Sequence, residues 1–302
     1  MKLVVAGASG FIGSALCSRL LDNGHALTLL TRVAPRDANT PAKRWLHWTP
    51  GTAGDWEAVV DGADGVINLA GEPIAAKRWT AGQKEKILAS RIDTTNSLVE
   101  AISKSKQKPA FLLNASAVGY YGSRGDEIIT EETESGHDFL SLVCRQWEEE
   151  ARKAEALGLR VIRVRSGIVL GRGGGALAKM VVPFKLFVGG PVGSGTQWMP
   201  WVHLEDEVDL ILYLIQNSQA AGPFNATAPE PVRMKDFCRV LGKTMARPSW
   251  APVPAFALRL GLGEMAEMLL TGQRAVPAAA QRLGYKFHYT DLGDALKACM
   301  PL

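Results

Sequence analysis

Lys2 to Leu16, KLVVAGASGFIGSAL, runs apolar, breaks into glycines and turns apolar again. Gly7, Gly10 and Gly13 give the spacing G-x-x-G-x-x-G. Before them, Leu3-Val4-Val5-Ala6 has the composition of a buried strand. After them, Phe11 to Leu21 places Ile12, Ala15, Leu16 and Leu20 on one helical face. The early glycines allow a tight turn and a close approach to a pyrophosphate, and the last lets helix and strand pack closely. The orphan N–H groups at the helix start then face an anion. A turn without a ligand is the competing reading. The setting, after a strand and before a helix, favours the cradle.

The same alternation continues through the first half. Ala26 to Leu30, Gly65 to Ala70, Ala110 to Ala115 and Arg160 to Arg165 read as strands, while Gln83 to Ser103 and Leu142 to Leu157 read as helices. Short apolar strands separated by helices pair in parallel through right-handed crossovers. The expected fold class is α/β, a Rossmann-type doubly wound parallel sheet with a smaller, mostly helical C-terminal substrate lobe. Residues 1–166 are expected to form the dinucleotide domain, with 202–226 returning to the sheet, and 167–302 mainly the substrate lobe. Two glycine loops, around Gly171 and Gly189, interrupt that lobe; a lid over the substrate and a plain connector are both open readings.

The end of the second strand selects the nucleotide. An acid there would accept from a ribose 2′-hydroxyl, but this strand ends Leu30-Thr31-Arg32. A guanidinium suits a 2′-phosphate, so NADP(H) is expected over NAD(H), with Arg36 a second candidate for the same contact.

Composition removes other classes. The formal net charge is +4 over 302 residues, and the nearest thing to a basic run is Lys104-Ser105-Lys106-Gln107-Lys108, so no nucleic-acid partner is expected. No apolar stretch is long enough to span a bilayer and no targeting segment is visible, so the expectation is a cytoplasmic chain with no membrane partner. Cys17, Cys144, Cys238 and Cys299 make no C-x-x-C and read as small buried or half-buried thiols of a reducing compartment. The five scattered histidines give no metal-ligand spacing, so no metal is expected. The expected partner is a small-molecule substrate of unknown identity, and a homodimer is compatible with the sequence.

With these residues in place, the chain resembles the extended short-chain dehydrogenase/reductase superfamily of NAD-dependent epimerase/dehydratase type. GASGFIG, Val66-Ile67-Asn68-Leu69-Ala70-Gly71, the strand Ala115 to Gly122 and Trp201-Val202-His203-Leu204-Glu205-Asp206 carry the resemblance. NLAGEPI, SRIDTT, ASAVGYYG, RSGIVLGRGGGALAKM and GGPVGSGTQWMPWVH narrow it to the epimerase-family branch of 39U type. The resemblance implies cofactor contacts from Gly7, Ser9, Gly10, Phe11, Ile12 and Gly13 at the turn, and from Thr31 and Arg32 at the ribose phosphate. Leu69, Ala70 and Gly71 would follow along the fourth strand, with Arg91 reaching from a neighbouring helix. Ser116 would lie near the nicotinamide.

The superfamily's working pair, a Tyr and a Lys one helical turn apart, is absent. With its Y-x-x-x-K-x-x-x-E register laid on Glu148, Leu140 takes the Tyr position and Cys144 the Lys position. No cation is evident near Cys144 in the sequence to lower its pKa. Two readings follow. In one, an atypical oxidoreductase or epimerase works with Ser116 and Tyr120, with Tyr121 beside them. In the other, the chain binds NADP(H) without hydride transfer and serves as a sensor or scaffold. The lost acid–base help is worth about 10²–10⁴-fold.

Elsewhere, His203 and Asp206 read as a polar knot between lobes, Asp206 capping a helix from Glu207 to Gln216, rather than as a catalytic dyad. Glu131-Glu132-Thr133-Glu134 reads as a solvated loop. Trp198, Met199 and Trp201 suit either an apolar pocket or core.

Overall fold

A computed structural model describes residues 1–33 and 39–300. Seven parallel strands form one sheet: β1 (Lys2–Ala6), β2 (Ala26–Thr31), β3 (Lys43–His47), β4 (Gly65–Asn68), β5 (Phe111–Ala117), β6 (Arg160–Ser166) and β7 (Gly222–Ala226). Their order is β7-β6-β5-β4-β1-β2-β3. The chain lays strands outward from β1 in one direction and then, starting with β4, in the other. That reversal opens a crevice at the carboxyl ends of β1 and β4, where such sheets bind ligands.

Strand alternation divides the core. Leu3, Val5, Ile67 and Leu113 point to one face, where Leu16 and Leu20 of α1 (Phe11–Asp22) meet the buried leucines and isoleucines of a later helix, Leu204–Gln216. Val4, Val66, Leu112 and Val161 point to the other, where Leu98 and Ile102 of α2 (Ala81–Lys104) and Ala151 of α3 (Phe139–Arg152) cover them. A third cluster builds the second lobe from α4 (Gly175–Lys185), the helix Met234–Met245 and the helix Leu292–Cys299. Phe184, Trp201, Phe237 and Leu296 lie at its centre.

Three differences from the sequence reading have physical causes. β3, KRWLH, was not foreseen. It is an edge strand with no fully buried residue, and its Lys43 and Arg44 leave no run of apolar residues to read. The helix expected from Leu142 begins at Phe139, because the Asp138 side chain accepts the Ser141 N–H at 2.8 Å. Within 202–226, only Gly222–Ala226 enters the main sheet; Trp201–His203 pairs with Ile168–Leu170 instead.

No helix among the described residues is long and apolar enough to cross a membrane. The described residues hold no cluster of three potential metal ligands, and all four cysteines are free and buried.

Candidate functional site

The glycine turn lies where β1 meets β4. Gly7 has φ of +83°, and a Cβ there would sit 2.5 Å from the Leu69 carbonyl carbon. A Cβ on Gly13 would fall 2.2 Å from the Gly7 oxygen, so helix and turn pack only without a side chain. The Gly10 N–H closes the turn on the Gly7 carbonyl. Gly10 caps α1 with no side-chain hydrogen bond, and the first turn of the helix contains no acid. Ser9 and Gly10 are exposed, and Phe11 and Ile12 are half-buried. The α1 amides therefore remain available to an anion, and the backbone fits a pyrophosphate. The Phe11 ring lies beneath the first glycine loop of the second lobe, and Cβ atoms at Gly171, Gly174 and Gly175 would all run into it.

At the end of β2 the Thr31 hydroxyl is engaged locally, donating to the Val33 carbonyl at 2.9 Å and accepting its N–H. Arg32 is exposed and has no partner among the described residues. Arg36 lies outside the described residues.

Beyond β4, the Leu69 N–H is bonded to Ala6 and the Ala70 N–H to the Asn68 side chain. Asn68 is fully buried and donates to both Thr95 and Asn114; Trp147 also donates to Thr95. This network locks α2 and α3 to the sheet just below the crevice. Arg91 of α2 then reaches Gly71: a Cβ there would lie 3.1 Å from its guanidinium carbon. One nitrogen donates to the carbonyls of Glu72 and Ile87, the guanidinium lies 5.0 Å from the Trp147 ring, and its other nitrogens have no hydrogen-bond partner among the described residues.

Leu140 and Cys144, one turn apart on α3, both lie beside the end of β5. A Cβ on Gly119 would lie 3.3 Å from Leu140 Cβ and 3.9 Å from the Cys144 sulfur. The expectation of no cation near Cys144 is corrected: Arg91 is close enough to favour the thiolate. Burial and the Glu148 charge outweigh it, and the thiol is pushed up to about 11.

Ser116 is buried, and its hydroxyl donates to Glu148 at 2.7 Å. Glu148 is gripped bidentately by Arg165 at 2.7 and 2.8 Å, with Arg163 at 3.7 Å. Burial lowers the Arg165 pKa, but bonding to Glu148 outweighs this and raises it overall. Arg165 also donates to the Tyr121 hydroxyl, which donates to Asn225, and burial raises that phenol's pKa. Tyr121 is thus a fully bonded core residue. Tyr120 lies face-on to Arg165, with ring centroid and guanidinium carbon 3.5 Å apart. Its phenol has no hydrogen-bond partner among the described residues and is not sealed from solvent.

Sequence reasoning used Glu148 only to set a register and missed Arg165. The signal was there: RVIRVRS carries three arginines in one buried strand, and a buried arginine requires an acid. Glu131 corrects another reading. It is buried, not solvated, and its carboxylate accepts the N–H groups of Asn225 and Ala279. Asp206 does not cap its helix. His203 does, accepting the Glu205 N–H, while Asp206 holds the amides of His288 and Tyr289. Burial raises the Asp206 pKa and lowers that of His203. Trp201 and Met199 are core. Trp198 packs between Arg233 and Arg274.

One further acid lies at this edge. Glu207 is buried and accepts from Ser166, the residue paired with Ala117 of β5; its second oxygen has no partner among the described residues. Burial pushes it up to about 7.

Comparison with known proteins agrees with this geometry. The NAD dependent epimerase/dehydratase family matches residues 3–226, and a domain of unknown function, DUF1731, matches 253–299. The chain is 43% identical to the chloroplastic epimerase family protein SDR39U1 homolog of Arabidopsis thaliana, over 99% of this chain and 87% of that protein. The crystal structure of human epimerase family protein SDR39U1 (isoform 2) with NADPH superposes with a TM-score of 0.86 at 32% identity, covering 99% of each chain. UDP-glucuronic acid 4-epimerase from Bacillus cereus in complex with NAD shares the fold, with a TM-score of 0.78 at 18% identity over 99% of this chain and 95% of that one.

Proposed function

Because this chain belongs to the NAD dependent epimerase/dehydratase family, in the branch of the SDR39U1-type epimerase family proteins, we infer that it binds NADP(H) and acts as an atypical oxidoreductase or epimerase. Its substrate class is a small carbonyl or sugar-nucleotide-like molecule. The observation that carries this reading is the open start of α1 beside Gly7 and Gly13, with Arg32, which has no partner among the described residues, at the end of β2. The NADPH in the human relative supports it.

Such a cofactor supplies or takes up a hydride when bound. The α1 amides hold its pyrophosphate and Arg32 its 2′-phosphate. Arg91, near enough to Cys144 to favour its thiolate, would bond ribose or phosphate oxygens. Tyr120 exchanges a proton with the substrate oxygen, its ring fixed by Arg165. Ser116, already donating to Glu148, acts only as an acceptor.

A second reading rests on its own observation. Leu140 and Cys144 fill the working positions with an apolar group and a protonated thiol. Cofactor binding without hydride transfer, as a sensor or scaffold, is consistent with that.

The test is NADPH oxidation followed by absorbance against a panel of carbonyl compounds and sugar nucleotides. The enzyme reading expects turnover that falls at least ~100-fold in Tyr120→Phe. Tight NADPH binding with no turnover on any compound leaves the second reading.

A further inference from the structure

Ten large apolar side chains are exposed among the described residues, and seven of them fall within residues 182–188 or 250–260. Exposed apolar residues scattered singly are ordinary; a concentration of this kind marks a contact surface. The two segments are joined. The Trp250 indole donates to the Phe187 carbonyl at 3.1 Å, the Ala251 N–H donates to Gly189, and the Arg247 guanidinium lies 4.6 Å from the Phe187 ring. The second segment runs on through Pro254 into the helix α5 (Ala255–Leu262), AFALRLGL, which has no buried residue although its one charged side chain is Arg259. Phe256 and Leu260, one turn apart on it, are 74% and 80% exposed; Trp250 is 68% exposed.

The acids that border this face are already paired, Glu264 with Lys84 and Glu267 with Arg259. No Asp or Glu occurs from Gly171 to Leu204 or from Phe237 to Gly263. Arg259 is satisfied by Glu267 and Arg239 by Asp236. Lys185, Lys243 and Arg247 have no acidic partner among the described residues. A second copy of this chain is a poor occupant. A two-fold contact sets a patch against itself, and the acids it would offer these cations are already held by Lys84, Arg239 and Arg259.

We propose that this face docks on an anionic lipid surface. Trp250, Phe187, Phe256 and Leu260 enter the boundary between headgroups and acyl chains, while Lys185, Lys243 and Arg247 lie against headgroup phosphates. Indole rings favour that depth, apolar in body and polar at one edge. The expectation of no membrane partner came from the lack of a spanning run. A face assembled from two separate segments leaves no such run, and it rests on the surface without crossing.

The test is sedimentation of the full chain with vesicles of phosphatidylcholine alone and of phosphatidylcholine mixed with phosphatidylglycerol. The protein should pellet with the anionic vesicles and be released as salt rises. Phe256→Ser with Leu260→Ser should weaken binding more than about tenfold. Lys185→Glu with Arg247→Glu should abolish the preference for anionic lipid. Acyl chains brominated near the headgroup should quench indole fluorescence, and Trp250→Phe should remove that quenching. All these positions are exposed, so the variants keep the fold. Equal or absent pelleting with both vesicle types, or binding unchanged in the variants, overturns the proposal. A dimer that the same substitutions dissolve, with no vesicle binding, assigns the face to a second copy instead.

Discussion

Two regions share the carboxyl edge of the sheet and are built on opposite plans. At β1 and β4 the contacts are backbone: a glycine turn and a helix start with no side-chain cap and no acid in its first turn. At β5 and β6 they are side chains, and the charged ones are sealed: Ser116, Glu148 and Arg165 are all 5% exposed or less. The first region is open and waits for an anion. The second has bonded Glu148 and Arg165 to each other, and its helix α3 contains no Tyr or Lys. Competence to hold a cofactor therefore does not bring competence to use it, and each region needs its own test.

The largest effect is expected at the cradle. Gly13→Val places a side chain where even a Cβ meets the Gly7 carbonyl at 2.2 Å. NADPH affinity should fall more than ~100-fold by calorimetry, through a turn that no longer closes. Unchanged affinity would separate the turn from the nucleotide. Next comes the ionic lock. Glu148→Ala strands Arg165 and should cost roughly 3–5 kcal/mol in urea unfolding. A loss below 1 kcal/mol would mean that the second region is not held together by charge.

Glu207 tests whether that region tolerates a lone acid. Its carboxyl titrates near 7 in the folded chain, above the ordinary range of an unfolded glutamate. The folded state thus binds more protons between about pH 4.5 and 7, and its stability falls as pH rises through that window, then levels off. Relative to the parent, Glu207→Gln should gain up to ~3 kcal/mol in unfolding free energy between pH 5 and pH 8. A constant difference across that range would place the titration elsewhere. The smallest effect is at the rim of the cradle. Arg32→Asp should weaken NADPH about tenfold while leaving NADH nearly unchanged. Equal losses for both would remove Arg32 from cofactor selection.

The same contrast decides what the sequence disclosed. Backbone recognition requires glycine at fixed spacings, so Gly7, Gly10 and Gly13 were legible, and so were the apolar strands they join. The absence of Tyr and Lys between Asp138 and Glu148 was equally visible, because it needs no tertiary contact to read. The lock was not. Glu148 and Arg165 are 17 residues apart and meet only because a strand and a helix pack, so three arginines in one strand ask for an acid without naming which one. Glu131 was misread for the same reason: an acidic run looks solvated until tertiary folding buries one member and gives it two amides. β3 escaped because an edge strand needs only one apolar side, and its charges hid that side.

Phe11 stands at the head of α1, yet its ring is roofed by a loop from the other lobe. A side chain added at Gly171, Gly174 or Gly175 would strike that ring, so the roof lies this low over the helix start only because it is made of glycine.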